Sequence, residues 1–175
     1  WTPSGQSTQT ATGLTAGFYT ATIVDVNGCT ATQTVTITQA QMPIISISGD
    51  STLCLGQCTT LSASGGVTYS WSSGVTTYSL IVCPTTTTTY TVLGTDANGC
   101  TNAGIMTVTV NPIPIPAVSG QTTVCAGQSA TICASGGIYY LWNTGATSAC
   151  IMVSPSATTT YTITVNNGSC SDTSS

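Results

Sequence analysis

The sequence TTYTVLGTDANGC, at positions 88–100, decides the fold that this chain is expected to adopt. Apolar and hydroxyl side chains alternate through its first half, which is typical of a strand with one buried face. The Asn98-Gly99 dipeptide that follows is a strong signal for a tight turn between two antiparallel strands. The stretch therefore predicts a strand that ends in a hairpin turn, with Cys100 beside the turn.

The same stretch occurs three times in the chain. It reads GFYTATIVDVNGC at positions 17–29 and TTYTITVNNGSC, one residue shorter, at positions 159–170. Neighbouring copies are 71 residues apart, as the numbers of Tyr19, Tyr90 and Tyr161 show, and a fixed period of this size indicates an array of similar modules. We predict that residues 1–42 (module one) are the C-terminal half of a repeat and residues 43–112 (module two) a complete repeat. Residues 113–175 (module three) are predicted to be a repeat that lacks its last strand.

Each module is predicted to be a small antiparallel sandwich. Short apolar segments separated by turn signals about every ten residues favour this architecture. Trp71 and its counterparts Trp1 and Trp142 are the expected core aromatics. The fold class is therefore all-β, with tandem immunoglobulin-like antiparallel β-sandwich modules. A module of roughly seventy residues is small for a sandwich, so disulfide bonds that reinforce it are expected.

The composition excludes several classes of function. The chain has no Lys, Arg or His and a net charge of −4. Without cations it cannot neutralise phosphates or dock electrostatically on anionic membranes, so neither nucleic acid nor a charged membrane surface is an expected partner. No run of about eighteen apolar residues is present, so no membrane insertion is expected.

Catalysis and metal binding are not expected either, and we predict no cofactor. The abundant hydroxyls lack a base to activate them, because the only candidates are four Asp residues outside any plausible constellation. Cys54 and Cys58 have loose zinc spacing, but Ser129 replaces the second cysteine in module three. Asp25 and Asp96 precede the Asn-Gly turns, where turn capping is a better interpretation than calcium binding.

Several motifs resemble those of known surface proteins. Module one, with GLTAG at 13–17 and TVTITQ at 34–39, resembles the SprB-type repeats of gliding-motility adhesins of Bacteroidota. Modules two and three, with YSW at 69–71 and VCAGQ at 124–128, resemble the bacterial immunoglobulin-like, PKD-like repeats of the same large surface adhesins. The resemblance implies a secreted, cell-surface or fibre-forming protein with a β-sandwich fold, in which such modules commonly act as spacers.

Nine cysteines indicate an oxidising, extracellular compartment. Two positions recur in modules two and three, and they suggest the pairs Cys54–Cys100 and Cys125–Cys170, each closing most of one module.

The other four cysteines fit one strand register. In the numbering of module two, 58 and 83 sum to 141, and so do 62 and 79, the equivalents of Cys133 and Cys150. Residues that face each other across an antiparallel pair have a constant sum, which predicts Cys58–Cys83 and Cys133–Cys150.

Cys29 is left over. Its partner is expected in the front half of module one, which these residues do not include, or in another chain through an intermolecular bond.

Glycosylation is the one modification with a sequence signal. Asp50-Ser51-Thr52 resembles the O-glycosylation motif of Bacteroidota, and Asn167 lies in an N-x-S sequence. The threonine run offers a further tract, and unmodified polar surface is the alternative. The candidate positions are Ser51, Thr85, Thr86, Thr87, Thr88 and Asn167.

The expected function is a structural repeat segment of an extracellular fibre or long cell-surface stalk, assembled head to tail. Its partners are then other copies of itself or flanking repeats of the same chain in a filament, with covalent glycans. The alternative is an adhesive module that binds polysaccharide or another cell surface. Only Tyr78 and Tyr139 fall outside the expected core aromatics, and two such residues are too few for a sugar-stacking platform.

Overall fold

The computed structural model describes all 175 residues, which form strands, turns and loops only. The all-β prediction is confirmed, and there is no helix of the length and hydrophobicity needed to cross a membrane. Module one holds β1 (Gly17–Val24) and β2 (Thr30–Ile37). Module two holds β3 (Ser46–Ser48), β4 (Thr52–Cys54), β5 (Thr59–Ser64), β6 (Thr68–Trp71), β7 (Ser79–Val82), β8 (Thr88–Thr95) and β9 (Thr101–Asn111). Module three holds β10 (Ala117–Gly120), β11 (Ala130–Ser135), β12 (Tyr139–Trp142), β13 (Cys150–Val153), β14 (Ile163–Asn166) and β15 (Ser171–Ser174).

Module two is an immunoglobulin-like sandwich of two sheets. One sheet has the strand order β3-β5-β7 and the other the order β4-β9-β8-β6. All pairs are antiparallel except β4 with β9, which is parallel. Alternate side chains point between the sheets, where Leu61, Trp71, Val92 and Val108 form the centre of the core. The period-2 pattern of the sequence thus becomes one buried and one solvent-facing side on each strand.

Module three repeats this arrangement. Its sheets have the orders β10-β11-β13 and β12-β14-β15. Strands β11, β12 and β13 begin 71 residues after β5, β6 and β7. The alternation of buried and exposed residues along β11 matches that along β5, and the same holds for β12 and β6. Ile132, Trp142 and Ile163 are the equivalents of Leu61, Trp71 and Val92 and lie in the core of module three.

The two core tryptophans also fasten a loop in each module. Trp71 is 2% exposed and its indole N–H donates to the carbonyl of Thr77 at 2.9 Å. Trp142 is 1% exposed and donates to the carbonyl of Ser148 at 3.0 Å. The indole ring is therefore buried without leaving its one polar group unpaired.

A glycine marks the place where the chain enters each sandwich. Gly65 and Gly136 have φ angles of +94° and +102°. A Cβ atom at either position would collide with a backbone carbonyl, that of Ile44 or that of Ile115. The entering segment can pass this close only because glycine has no side chain and tolerates positive φ.

The strands of module one are a single hairpin, β1 paired with β2, and one antiparallel bridge joins Thr2 to Thr20 at its edge. Tyr19 is its one buried residue, and the tyrosine hydroxyl donates to the carbonyl of Thr15 at 3.0 Å. Phe18 and Ile23 are 73% and 70% exposed. No second sheet within the chain covers this hairpin.

The end of module three differs from the sequence prediction of a missing last strand. Residues Ser171–Ser174 form β15, which pairs antiparallel with β14. This strand begins directly after the turn, as β9 does at Thr101. Its sequence, SDTS, has no apolar alternation, so the pattern that predicts strands gave no signal there.

Candidate functional site

Two disulfides follow the strand register that the sequence predicts. In the structure Cys58 is bonded to Cys83, and Cys133 is bonded to Cys150. Leu61 lies opposite Leu80 in the β5–β7 pair, so the residue numbers sum to 141, as 58 and 83 do. These disulfides therefore staple the same strand pair in both modules, on the side of the sheet away from the core.

The third disulfide differs from the prediction. Cys54 of module two is bonded to Cys170 of module three, with their Cα atoms 5.8 Å apart. The expected pairs Cys54–Cys100 and Cys125–Cys170 are therefore not formed. Cys100 and Cys125 are free thiols, and so is Cys29.

The position of Cys54 is the first reason why the predicted pairs do not form. Residues 54–57 and 125–128 form what we call the early turns of modules two and three. In module two, β4 runs parallel to the end of β9 and brings Cys54 beside Asn111. The N–H of Leu55 donates to the Asn111 carbonyl at 2.9 Å. The early turn therefore lies at the exit end of module two, where the chain leaves for module three.

The position of Cys170 is the second reason why the predicted pairs do not form. Residues 25–29, 96–100 and 167–170 form what we call the late turns. The Asn167 side-chain amide donates to the carbonyl of Pro112, in the linker, at 2.8 Å. In module two, the amide of Asn102, just after the late turn, donates to the carbonyl of Pro43 at 2.9 Å. A late turn thus lies at the entry end of its own module, far from the early turn of that module.

Because the early turn and the late turn of one module lie at opposite ends, the cysteines of these two turns cannot bond to each other, whereas those of neighbouring modules can. The late turn of module three meets the early turn of module two across the linker Asn111–Pro116. The Cys54 Sγ atom lies 3.8 Å from the carbonyl oxygen of Ser169. The Cys170 Sγ atom lies 3.9 Å from that of Asn111, and Cys170 is 2% exposed. We call this contact the junction.

Local hydrogen bonds hold both cysteines of the junction in place. The Gln57 side-chain oxygen accepts from the N–H of Cys54 at 2.9 Å, and the N–H of Gln57 donates back to the Cys54 carbonyl at 3.0 Å. The Asn167 side-chain oxygen accepts from the N–H of Cys170 at 2.9 Å. Leu55 and Ile113 line the cleft beside the disulfide. No ionisable side chain lines the cleft at the junction, and its two cysteines carry no thiol proton while they are bonded, so neither salt nor pH near neutrality should weaken the contact.

Two of the four aspartates have structural partners in the late turns. The Asp25 side-chain oxygen accepts from the N–H groups of Asn27 and Cys29, both at 2.8 Å. The Asp96 side-chain oxygen accepts from those of Asn98 at 2.8 Å and Cys100 at 2.9 Å. Both aspartates cap their late turns, as the sequence interpretation proposed. No group of three or more metal-ligating acids and cysteines lies together.

The glycosylation candidates differ in accessibility. Ser51 is exposed, and so are Thr85, Thr86 and Thr87. The Thr88 hydroxyl donates to the Thr86 carbonyl at 2.7 Å, and the Thr87 hydroxyl oxygen accepts from the N–H of Val110 at 3.1 Å. The Asn167 side chain is half-buried and its amide is engaged at both atoms, the nitrogen donating to Pro112 and the oxygen accepting from Cys170, so a sugar on its nitrogen would replace one of its two N–H groups beside this contact.

The exposed aromatic residues do not form a platform. Tyr78 is 66% exposed and lies in the loop before β7 of module two. Tyr139 is 64% exposed and lies on β12 of module three. The remaining strongly exposed aromatic, Phe18 at 73%, lies on β1 of module one, so each module carries a single such ring and none presents a pair of them that could sandwich a sugar ring.

Comparison with known proteins gives structural neighbours only. No protein-family model matches the chain, and neither does any curated protein. Among solved structures, murine CEACAM1b is similar at 14% identity and a TM-score of 0.43, over 75% of this chain and 96% of that one. A structure described as a 1.5-MDa bacterial ice-binding adhesin is similar at 12% identity and a TM-score of 0.37, over 89% of this chain and 70% of that one. At this level of similarity, the fold assignment rests on the strand order and not on these neighbours.

Proposed function

We propose that these residues are a structural segment of an extracellular fibre or long cell-surface stalk. The observation that carries this proposal is the Cys54–Cys170 disulfide, which joins two sandwiches end to end. A ligand-binding module gains little from a second covalent bond to its neighbour. A spacer that must keep a fixed direction gains directly, because the second covalent bond restricts the bending and rotation that a single linker allows.

The disulfides support an extracellular location. Three disulfides are formed in a chain of 175 residues, and such bonds persist in oxidising compartments outside the cytosol. Two of them staple small sandwiches whose cores contain eight buried residues each. A core of this size supplies only a small free energy of folding, and disulfides add to it.

The arrangement of the ends supports a linear assembly. Each complete module receives the chain at the end that bears its late turn and releases it at the end that bears its early turn. Successive modules then continue in one direction, and contacts of this head-to-tail kind extend into a filament when they do not close into a ring. Other copies or flanking repeats are the partners that this proposal implies.

A glycan at Ser51 is part of the proposal. Ser51 is exposed and lies just before β4 in module two, so a sugar there would project from the sandwich without disturbing its core. Intact-mass measurement of the native protein tests this directly. A mass excess that maps to Ser51 and vanishes in Ser51→Ala supports the glycan, and an unmodified Ser51 peptide rejects it.

Electron microscopy tests the fibre proposal. The 175-residue chain, purified with its disulfides intact, is expected to give extended, end-to-end particles in negative stain. Small-angle scattering should likewise show a rod whose cross-section is that of one sandwich. Compact particles with modules two and three folded side by side would reject the proposal.

A further inference from the structure

The three free cysteines all occupy positions equivalent to the two cysteines of the junction. Cys125 lies 71 residues after Cys54 and begins the early turn of module three. Cys29 and Cys100 close the late turns of modules one and two, as Cys170 closes that of module three. The free thiols are therefore not scattered, because each is one half of a bond that the chain already forms once.

The early turn of module three shares the backbone hydrogen bond and the glycine of its bonded counterpart. The N–H of Gln128 donates to the Cys125 carbonyl at 2.9 Å, and that of Gln57 donates to the Cys54 carbonyl at 3.0 Å. The third residue of each turn is a glycine, with φ of +87° at Gly56 and +79° at Gly127. Cys125 is exposed. By the repeat, it lies at the exit end of module three, as Cys54 does in module two.

The late turn of module one presents the complementary cysteine. Cys29 is exposed, and its N–H is held by the Asp25 side chain, as the N–H of Cys170 is held by that of Asn167. Strand β2 starts at Thr30, next to this turn, and runs toward the linker that enters module two. The turn therefore lies at the end of module one that faces away from module two. Cys100 instead closes the late turn at the entry end of module two, where the nearby Asn102 donates to the carbonyl of Pro43.

We propose that Cys125 of one copy forms a disulfide with Cys29 of the next, which repeats the Cys54–Cys170 junction between chains. This inference rests on the proposed head-to-tail fibre and specifies its covalent contact. The bond is heterologous, since it joins two different surfaces, and so it propagates without a fixed end. Each added copy would be locked to its neighbour in the way that modules two and three are locked to each other.

The bond requires a two-electron oxidant, which a small disulfide such as oxidised glutathione supplies. The Cys125 thiolate attacks one glutathione sulfur, forms a mixed disulfide and releases one reduced glutathione. The Cys29 thiolate then attacks the Cys125 sulfur and displaces the second glutathione. The two thiol protons end on the two reduced glutathione molecules, which also carry the two electrons.

The test uses the 175-residue chain at increasing concentration with oxidised glutathione, followed by alkylation and non-reducing electrophoresis. A ladder of covalent oligomers is expected, which collapses to monomer with reductant. Cys125→Ser and Cys29→Ser should each abolish the head-to-tail ladder. Cys100→Ser is the matched control and should leave it unchanged. Peptide mapping with thermolysin should recover a cross-link between Cys125 and Cys29. All three positions are at least partly exposed, so circular dichroism can verify that each variant folds.

Three results would overturn the inference. They are a Cys125–Cys125 cross-link as the main product, a ladder that needs Cys100, and the absence of any ladder. Electron microscopy of the same samples separates this failure from failure of the fibre proposal. End-to-end particles without the cross-link would reject only the Cys125–Cys29 bond, whereas compact separate particles would reject the fibre.

Discussion

Cys54 and Cys170 are bonded across 116 residues of sequence and belong to different sandwiches. The backbone joins modules two and three a second time through the linker Asn111–Pro116, in which alternate prolines already favour an extended segment. Two connections at separate points restrict rotation and bending far more than one. The junction therefore fixes the direction in which module three continues from module two.

Removing this disulfide should loosen the junction without unfolding either sandwich. In the double variant Cys54→Ser with Cys170→Ser, the bonded atoms lie outside both cores, so each core should keep its stability. Small-angle scattering should show a broader distribution of maximum dimensions. The control is Cys58→Ser with Cys83→Ser, which should leave that distribution unchanged. An unaltered scattering curve for the junction variant would mean that the linker alone holds the two modules.

The two strand-register disulfides should act on stability and not on shape. Cys58→Ser with Cys83→Ser opens a loop of 25 residues, and Cys133→Ser with Cys150→Ser a loop of 17 residues. The chain-entropy model assigns about 3 kcal/mol to loops of this length. Denaturant titration monitored by tryptophan fluorescence should show a loss of that size in the affected module only. A loss in the other module would indicate that the two sandwiches unfold as one unit.

Leu61 should be among the residues whose truncation costs most. It is completely buried between the two sheets of module two, so Leu61→Ala leaves a cavity and should lower the free energy of unfolding by about 2–5 kcal/mol. Leu93→Ala is the matched control, because Leu93 lies on β8 but is 45% exposed. It should cost less than about 1 kcal/mol. Equal losses for the two variants would contradict the assignment of the core face.

Substitutions at Gly65 and Gly74 test separately two reasons for a glycine, which are a positive φ angle and the lack of space for a Cβ atom. Both have positive φ, +94° and +87°, so alanine at either position should cost about 1–2 kcal/mol in backbone strain. A Cβ atom at Gly74 meets nothing within 4 Å, whereas one at Gly65 collides with the Ile44 carbonyl. Thermal denaturation should therefore show a clearly larger loss for Gly65→Ala than for Gly74→Ala. Comparable melting temperatures would show that the entering segment can move aside.

Much of the fold follows from local pattern. The alternation around Tyr90 and the Asn-Gly turns predicts strands and hairpins, and the constant sum of residue numbers predicts which strand faces which. Strand β4 gave no such signal, because Thr52–Cys54 is only three residues long and is ordered by its parallel pairing with β9. That pairing decides at which end of the module Cys54 lies. Because the two paired strands are more than fifty residues apart in sequence, no local sequence pattern predicts it.

The junction could not be predicted for a related reason. Recurrence at a 71-residue period identifies Cys54 and Cys125 as equivalent, and the late turns identify Cys100 and Cys170 as equivalent. It does not say whether an early-turn cysteine meets the late turn of its own module or that of the next. Only the placement of the two turns at opposite ends of the sandwich decides between these pairings, and that placement is a property of the assembled sheets.

Identification of the disulfide partner of Cys54 shows most directly whether the junction joins modules two and three. The chain has no Lys or Arg, so trypsin cannot cut it, and thermolysin digestion after alkylation under non-reducing conditions is the suitable route. If the junction forms, one peptide links Cys54 to Cys170, and Cys100 and Cys125 are recovered as alkylated thiols from the monomer. Recovery of Cys54 linked to Cys100, with Cys125 linked to Cys170, would show that each module closes on itself and would contradict the junction.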